Sequence, residues 1–406
     1  MFTLYYNYSN HFPICNTYHA SMHYPTRIKL FANNLLSAPR TIGVDGVMSY
    51  GGGTGLGLDL PRKAFGEYFE RNHFFTSVPV TSKRLLKDIS SDSLKSQLLK
   101  CIDQVKYTDQ DPLEHSFCFT TVNSLMNDES QEYLYNAISL NGEKLDGPFY
   151  NFNDSCACAT HVTKQKSLNN SLMEFLERQA LLGSWISKQY RFAIAPEVLQ
   201  VITPYKPLVE KLLRNGELFV FENGVNLPGY STIIFYFSKC RQDLVQYSVG
   251  SSAGLTLEDS LNGSFEELWQ CYLFQYNAEN SRGLEDRAGT GYHLSFQKCN
   301  HAGIRDIIPF VQDGASRQYT VSNYHQVTKL KTYTFDSVVS ELADISSNIF
   351  YYHHFERALN LHFSKIVSPD FFVHMALEQP LNLVNAYSQA VGINRENAYT
   401  EKIPFP

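Results

Sequence analysis

The chain has 406 residues, of which 43% are hydrophobic and 18% charged. This composition supplies a sizeable apolar core and excludes a wholly disordered or collagen-like chain. The 34 basic and 40 acidic residues leave a net charge of −6, which offers no positive field for nucleic acid or an anionic membrane. No window supplies the roughly 18 apolar residues of a spanning helix, and the first residues lack the basic start and apolar run of a secretory signal. We expect a cytoplasmic protein that binds neither nucleic acid nor a membrane.

A short β-rich run, a cluster of small residues and an amphipathic helix occur three times in the same order. The first unit comprises Thr41–Val44, Gly51–Gly55 and Pro61–Arg71, the second Phe149–Tyr150, Ser155–Ala159 and Ser171–Arg178, and the third Leu244–Tyr247, Gly250–Gly254 and Ser264–Gln270. The pattern predicts a mixed α/β (α+β) domain built on three β-loop-α units, with the small residues in loops at the helix starts. Their separation of about a hundred residues exceeds the roughly 20–50 residues of a solenoid repeat.

Signals for the helix starts accompany each unit. Pro61 suits the first turn of the first helix, and Ser167 is a candidate cap for the second. Before the third helix, Thr256-Leu257-Glu258-Asp259 has the form of a capping box with Asp in the last place.

Three glutamates at equivalent positions, Glu67, Glu174 and Glu267, bring the helices into register. Sixteen residues upstream of them lie Gly51, Cys158 and Ser251, each inside a small-residue cluster. Positions i, i+3 and i+4 share one face of a helix. That face carries Glu67, Glu70 and Arg71 on the first helix, Glu174, Glu177 and Arg178 on the second, and Glu267 and Gln270 on the third.

An isolated Glu-x-x-Glu-Arg is usually a solvated face with a weak ion pair. Here the motif recurs in register, and the next position along the stripe is apolar each time: Phe74, Leu181 and Phe274. The recurrence and the apolar ends favour acids that face a shared interior site.

Five carboxylates at one site would repel one another and raise their pKa values. Divalent cations relieve this repulsion, and Mg²⁺ binds one or two carboxylates together with phosphate oxygens. Arg71 and Arg178 could bind phosphate in a bidentate way, and backbone N–H groups at helix starts would bind the same anion. The residues therefore predict a Mg-nucleotide site, although the chain contains no Walker motif.

Two other motifs suggest different chemistry. Gly250-Ser251-Ser252-Ala253-Gly254 matches the Gly-x-Ser-x-Gly elbow of a serine hydrolase, which would need a later His such as His354 or His374. The capping signal at Thr256, however, starts the helix several residues after the place an elbow requires. Cys156-Ala157-Cys158 could be a metal or redox pair, but small residues in a tight loop explain it better.

Several stretches resemble the YcaO family. They are Gly66-Glu67-Tyr68-Phe69-Glu70-Arg71, the Glu174-x-x-Glu177-Arg178 and Glu267-x-x-Gln270 helices, the late strand Lys365-Ile366-Val367-Ser368-Pro369-Asp370, and the proline-bearing end Ile403-Pro404-Phe405-Pro406. The resemblance spans 41–406 as one catalytic domain, with 1–40 as an N-terminal segment, and it is nearest to the azoline-forming members that mature microcin-type peptides. It implies a YcaO-type fold whose three units converge on a Mg-ATP site.

The resemblance implies an ATP-dependent cyclodehydratase that converts Cys and Ser of a ribosomal precursor peptide to thiazoline and oxazoline. By matching position, Glu67, Glu70, Glu174, Glu177 and Glu267 would bind Mg²⁺, while Arg71, Arg178, Gln270, Ser155 and Ser252 would contact ATP. Arg178 would also act in catalysis, and the Pro406 carboxylate would accept a proton. Implied partners are the precursor peptide, a leader-binding subunit resembling ubiquitin-activating enzymes, and an FMN-dependent dehydrogenase.

The chain departs from the family pattern at three places. Lys63 stands where a Ser is common, Ser155-Cys156-Ala157 replaces Ser-Asn-Gly, and the tail keeps only its last Pro-x-Pro. The last difference bears most on the role of Pro406. Thioamidation, methylthiolation assistance and a nucleotide-binding scaffold without turnover remain alternatives.

Overall fold

The computed structural model describes residues 6–7, 25–31, 38–46, 49–55, 59–280, 299–300, 304–312, 318–324, 330–373, 375 and 383–405. Within these ranges the strands form three sheets. The first sheet is antiparallel and runs in chain order through β1 (Tyr6–Asn7), β2 (Arg27–Leu30), β3 (Arg40–Asp45) and β4 (Tyr50–Gly55). Because β2 pairs with β3, the boundary expected at residue 40 falls inside this sheet.

The second sheet has the order β5-β6-β14-β15-β8, with β7 paired to β6, and all its pairs are antiparallel. Its strands are β5 (Ser82–Leu85), β6 (Ser116–Ser124), β7 (Ser130–Leu134), β8 (Cys158–His161), β14 (Phe350–Glu356) and β15 (Leu361–Val367).

The third sheet has the order β12-β11-β10-β9-β13 and is antiparallel except where β13 meets β9. Its strands are β9 (Phe192–Ile194), β10 (Gly216–Glu222), β11 (Tyr230–Ser238), β12 (Tyr247–Gly254) and β13 (Gln318–Tyr319).

Three long helices cover these sheets, and shorter helices connect the strands. The helices up to residue 280 are α1 (Asp59–Thr76), α2 (Asp92–Val105), α3 (Tyr135–Ile138), α4 (Lys164–Ser187), α5 (Leu199–Ile202), α6 (Lys206–Asn215) and α7 (Leu257–Asn280). Later short helices are Pro309–Gln312, Phe335–Leu342 and Ala386–Ala390, and 3₁₀ turns occupy Leu86–Asp88, Pro196–Val198 and Ile304–Ile307. No helix in the described ranges is long and apolar enough to cross a membrane.

The three β–helix units form a ring. α1 packs on β4, α4 on β8 and α7 on β12, so each helix covers the strand of its own unit. Each helix also packs on the strand of the next unit, α1 on β8, α4 on β12 and α7 on β4. This cyclic packing turns the acidic faces of the helices toward a common centre.

The small-residue clusters of the first and third units lie in strands, and the expectation that they form loops was wrong. Their glycines allow the helix backbone to approach. A Cβ on Gly51 would lie 2.2 Å from the Ala64 carbonyl oxygen, and one on Gly250 would lie 2.2 Å from that of Ser264. These contacts make Gly51 and Gly250 equivalent, one residue away from the register that the sequence suggested.

Two of the three helix starts match the sequence signals. Pro61 lies in the first turn of α1, and Thr256 Oγ1 accepts the Asp259 N–H at 3.1 Å before α7. Ser167 is not a cap, because α4 starts earlier with Thr163 as its N-cap. The Ser167 hydroxyl is buried and donates to the Ala159 carbonyl oxygen at 3.1 Å.

The segment Ser77–Glu143 packs into the second sheet. It contributes β5, β6, β7, α2 and α3, and its Leu98, Ile102 and Phe117 are buried with Phe74 of α1 in one hydrophobic cluster. The end of the acidic stripe on α1 is thereby anchored in the core.

Candidate active site

The five carboxylates that the repeat singled out all face the centre of the ring. Their charges interact across all three helices: Glu67 with Glu70, Glu174 and Glu267, Glu174 with Glu70 and Glu177, and Glu177 with Glu267. Glu70 is only 9% exposed, and the acids of α4 and α7 are half-buried. Four of the five acids therefore remain partly exposed, and this partly exposed region between the three helices is called the depression below.

Burial dominates the electrostatics of this cluster. Removal from water raises the pKa of Glu70 to about 8, that of Glu174 to about 7 and that of Glu267 to about 6. It also raises the pKa of Glu177 well above the ordinary value. Neighbouring carboxylates contribute to these raised pKa values, while arginines oppose the rise. At neutral pH the cluster therefore favours bound protons or cations.

Arg71 and Arg178 are the counter-charges of the cluster. Arg71 Nη2 lies 3.5 Å from Glu67 Oε1, and Arg178 Nη2 lies 3.7 Å from Glu177 Oε1. Burial lowers the pKa of each guanidinium, but the surrounding glutamates outweigh it and raise the pKa overall. Both pairs exceed the length of a close charge-assisted hydrogen bond, so each guanidinium has donors to offer a phosphate.

Backbone N–H groups of the two small-residue strands bind carboxylates. Gly52 N donates to Glu67 Oε2 at 2.7 Å, and Ser251 N donates to Glu267 Oε2 at 2.6 Å. These bonds fix the first and third glutamates in the same way, and they occupy N–H groups that the sequence had assigned to an anion.

Gln270 connects the third unit to the first. Its Oε1 accepts the Thr54 hydroxyl at 3.0 Å, and a Cβ on Gly52 would lie 3.4 Å from its Nε2. Lys63, one turn before Glu67, donates to the Thr54 carbonyl oxygen at 3.2 Å and pairs with Glu266. Gln270 thus lies at the carboxylates, as the repeat predicts, and Lys63 lies at the edge of the site.

The segment before β8 borders the cluster at Glu174 and Arg178. Cys156 interacts electrostatically with Glu174 and Arg178, and Asp154 interacts with Glu174. Ser155, between them, is half-buried and its carbonyl oxygen accepts Cys158 N at 3.1 Å. The structure therefore brings Ser155 to the depression.

Of the two remaining predicted site residues, the structure describes Ser252 but not Pro406. Ser252 lies in β12 with its hydroxyl against Gly263 of α7, where an added Cβ would be 2.3 Å away. Gly263 is one turn before Glu267, so Ser252 lies on the same face at the edge of the cluster. Pro406 lies outside the described residues.

The C-terminal segment also reaches the carboxylate cluster. Tyr247 donates its hydroxyl to the Pro404 carbonyl oxygen at 2.7 Å, and Trp185 Nε1 donates to that of Glu401 at 2.7 Å. Phe405 is buried, and the Arg178 guanidinium lies 5.3 Å from its ring centroid. The tail up to Phe405 is therefore docked beside Arg178.

The donor set fits Mg²⁺ together with a polyphosphate. In the described ranges no three Asp, Glu, His or Cys side chains stand close enough to share one metal ion. Such a cage is not required, because Mg²⁺ takes one or two protein carboxylates and completes its shell with phosphate oxygens and water. Hard oxygen donors with raised pKa values, flanked by two arginines, suit that arrangement.

The serine hydrolase interpretation is not supported by the strand that carries Ser252. β12 continues to Gly254, and α7 begins at Leu257, whereas an elbow serine stands at the turn itself. His354 lies in β14, beside His73 at 4.9 Å between ring centroids. His374 lies outside the described residues.

Sequence reasoning did not single out three contributors to the site: Lys365, Thr54 and Phe405. Lys365 is 2% exposed and donates to the Asp154 carbonyl oxygen at 2.7 Å. The sequence feature that could have identified Lys365 is a single Lys in a largely apolar strand, because lysines are rarely buried without partners. Thr54 and Phe405 carried no pattern of their own.

Comparison with known proteins identifies the family. The family model described as YcaO cyclodehydratase, ATP- and Mg²⁺-binding, matches residues 62–371. The chain therefore belongs to this family. The curated Microcin B17-processing protein McbD of Escherichia coli is 28% identical over 352 residues, which cover 84% of this chain and 87% of that protein.

Two solved structures show the same fold. In the E. coli Microcin synthetase McbBCD complex with pro-MccB17 bound, one chain matches with a TM-score of 0.81 at 24% identity, and each chain is covered fully (100%). YcaO from Methanopyrus kandleri bound with AMPPCP and Mg²⁺ matches with a TM-score of 0.55 at 11% identity, with 84% of each chain covered. The expected family, the mixed α/β YcaO-type fold and the ligands ATP and Mg²⁺ are thereby confirmed.

Proposed function

We propose that this chain is the ATP-dependent cyclodehydratase subunit of a thiazole/oxazole synthetase that matures a microcin-type peptide. The proposal has two supports: the family, and the similarity to a Microcin B17-processing protein over most of both chains. The observation that carries it is the cyclic packing of three helices, which turns five glutamates, with Arg71 and Arg178 beside them, toward one centre.

The substrate is a ribosomal precursor peptide. The thiol or hydroxyl of a Cys or Ser gives up its proton to a base and attacks the preceding backbone carbonyl carbon. The new oxyanion takes the γ-phosphoryl group of ATP, and ADP leaves. The C–O bond then breaks as the ring nitrogen loses its proton and forms the C=N bond, so phosphate departs and a thiazoline or oxazoline remains. The net change is loss of one water per ring and hydrolysis of one ATP.

The acidic, basic and polar residues of the site would take different roles in this reaction. Glu67, Glu70, Glu174, Glu177 and Glu267 would bind Mg²⁺, which neutralises phosphate charge when it is bound. Arg71 and Arg178 would bind phosphate oxygens, and Arg178 would stabilise the charge that develops during transfer. Gln270, Ser155 and Ser252 would contact the nucleotide, and the Pro406 carboxylate would accept the proton.

The catalytic domain would occupy 41–406, with β2 of the N-terminal segment added to its first sheet. Its partners would be a leader-binding subunit resembling ubiquitin-activating enzymes and an FMN-dependent dehydrogenase that aromatises the rings. The McbBCD structure, a complex of three kinds of subunit with a precursor bound, supports this composition. The site of action would be the cytoplasm.

The test is ring formation by the complex assembled with these partners, a Cys- and Ser-containing precursor, ATP and Mg²⁺, followed as loss of water by mass spectrometry. Glu70→Gln and Glu177→Gln should each lower the rate by roughly 100-fold or more, since each removes a charge that acts on the transferring phosphoryl group. Both variants should fold, because a neutral amide is easier to bury than a carboxylate.

Glu266→Gln is the matched control. Glu266 neighbours Glu267 on α7, but its Oε1 accepts the Tyr205 hydroxyl at 2.6 Å, a bond that the amide oxygen of Gln can keep. Its Oε2 pairs with the exposed Lys63, and because exposed ion pairs contribute little, the rate should be unchanged. Parental rates in both site variants would refute the metal-ligand roles. Exchange of oxygen for sulfur in the product, without loss of water, would identify thioamidation instead.

A further inference from the structure

Lys365 places a buried ammonium group next to the site. It lies in β15 between Tyr352 of β14 and Cys158 of β8 and is 2% exposed. Burial of a charge is costly unless hydrogen bonds and an opposite charge compensate it. In the part of the chain that the structure describes, no carboxylate lies within 4.0 Å of its Nζ, so other groups must hold the ammonium.

Two backbone carbonyl groups do so. Lys365 Nζ donates to the Asp154 carbonyl oxygen at 2.7 Å and to the Ile138 carbonyl oxygen at 3.3 Å. Ile138 ends α3, where the last carbonyl groups have no partner inside the helix. The ammonium therefore connects three parts of the fold: β15, the end of α3, and the segment before β8.

That segment, 151–157, contains no helix or strand, and Ala157 at its end has a φ of 60°. Its two flanks are held by other groups: Asn153 Nδ2 donates to the Ser139 carbonyl oxygen at 3.2 Å, and the Ala157 carbonyl oxygen accepts the Ser171 hydroxyl at 2.6 Å. Inside it, Asp154 Oδ1 accepts Cys156 N at 3.1 Å, and the Ser155 carbonyl oxygen accepts Cys158 N at 3.1 Å. β8 therefore holds its far end, while Lys365 holds the carbonyl just before Ser155.

The charge of Lys365 also reaches the carboxylates. It lowers the pKa of Glu70, although burial raises that pKa overall, and with Arg178, Asp154 and Cys156 it lines a cavity of about 40 Å³. A cavity of this size holds a few waters rather than a nucleotide. Lys365 thus stands behind the segment that borders the depression, and it does not line the depression itself.

We propose that Lys365 is a positioning residue for nucleotide binding, which fixes the Asp154–Ala157 segment against Arg178 and Glu174 through its two carbonyl hydrogen bonds. The inference rests on the proposed function only in taking the depression as the ATP site. A charged donor suits the role because charge-assisted hydrogen bonds are stronger than neutral ones, and an ammonium can donate to both carbonyls at once.

The test compares Lys365→Met, which keeps the length and removes the donors, with Lys365→Gln, which keeps an N–H donor without charge. Ser364→Ala is the matched control, because Ser364 is the buried neighbour whose hydroxyl accepts from Ser167 at 2.9 Å, away from the segment. The readouts are the Kd of a non-hydrolysable ATP analogue with Mg²⁺ and amide hydrogen exchange of residues 151–158. Neither readout requires ring formation, so both can succeed when the proposed reaction fails.

Lys365→Met should weaken analogue binding by roughly 10- to 100-fold, the range for residues that orient ligands, and should speed exchange in 151–158 without changing that of α7. Lys365→Gln should fall between Met and the parent, and Ser364→Ala should match the parent. Unchanged analogue binding in Lys365→Met, or faster exchange throughout the chain in both Lys365 variants, would refute the positioning role. If Lys365→Met does not fold, a parental Kd and exchange rate in Lys365→Gln would refute it equally.

Discussion

Gly51→Ala tests whether close contact between strand and helix sets the position of the carboxylates. An added Cβ would lie 2.2 Å from the Ala64 carbonyl oxygen and 2.4 Å from Tyr68 N, both backbone atoms of α1. Ordinary contact begins near 3.4 Å, so α1 must move away from β4 by about 1.2 Å, and packed interiors resist such a shift. Glu67, whose carboxylate is bound to Gly52 N, would move with the helix.

The expected cost follows from that displacement. Overpacking of this kind destabilises by about 1–3 kcal/mol, and a shift of about 1 Å in positioning groups can lower a rate by roughly 100-fold. We therefore expect ring formation to fall by about that factor while the chain still folds. Urea unfolding gives the stability, and the mass-spectrometric assay with saturating ATP gives the rate.

Gly66→Ala provides the comparison within the same helix. A Cβ on Gly66 meets nothing within 4 Å, so no movement is needed, and replacing a helix-interior Gly by Ala should stabilise by about 0.5–1 kcal/mol. Activity should stay at the parental level. A parental rate in Gly51→Ala, or an equal loss in Gly66→Ala, would show that the close approach does not position the site.

Three further predictions concern charge, the tail and Ser252. The stability of the cation-free protein should fall as pH rises from about 4.5 to about 8. Glu70 and Glu174, whose pKa values are raised to about 8 and about 7, bind protons more tightly in the folded state than in the unfolded state. Thermal unfolding at several pH values should show a flatter dependence of stability on pH for Glu70→Gln, and an unchanged dependence would contradict the assignment. Phe405→Ala should cost about 3–5 kcal/mol in urea unfolding because it empties a buried site. Phe405→Leu refills most of that volume without the ring beside Arg178 and should keep most of the stability; a loss equal to that of Phe405→Ala would show that filling the site is not what stabilises the tail. A fluorophosphonate probe should leave Ser252 unlabelled, since it lies within a strand, and labelling at this residue would revive the hydrolase.

The acidic stripe could be predicted from sequence because helix geometry fixes which residues share a face. Glu67, Glu70 and Arg71 had to project together, and the apolar Phe74 beyond them required that face to turn inward. The structure places Phe74 in the core. This part of the site depends on local geometry, which a sequence pattern carries directly.

The strands beside those helices could not be predicted, because a glycine-rich run can indicate either a turn or a close approach between two backbones. A run such as Gly51–Gly55 usually marks a turn, but in this fold it lets the backbones of β4 and α1 touch. Ser167 failed as a cap because Thr163, one turn earlier, satisfies the same rule. Such choices depend on tertiary contacts, and so does the role of Lys365, whose partners are carbonyl groups distant in the chain.

The ring of helices and strands has a consequence for how the protein can vary. Each long helix bridges two different sheets, so a ligand bound at the centre would connect all three sheets. Binding should therefore make the sheets unfold together as one cooperative unit. The long stretches between the units supply strands and core residues but none of the five glutamates. Their exposed positions can therefore diverge, so that surfaces for new peptides and subunits evolve there while the chemistry at the centre stays the same.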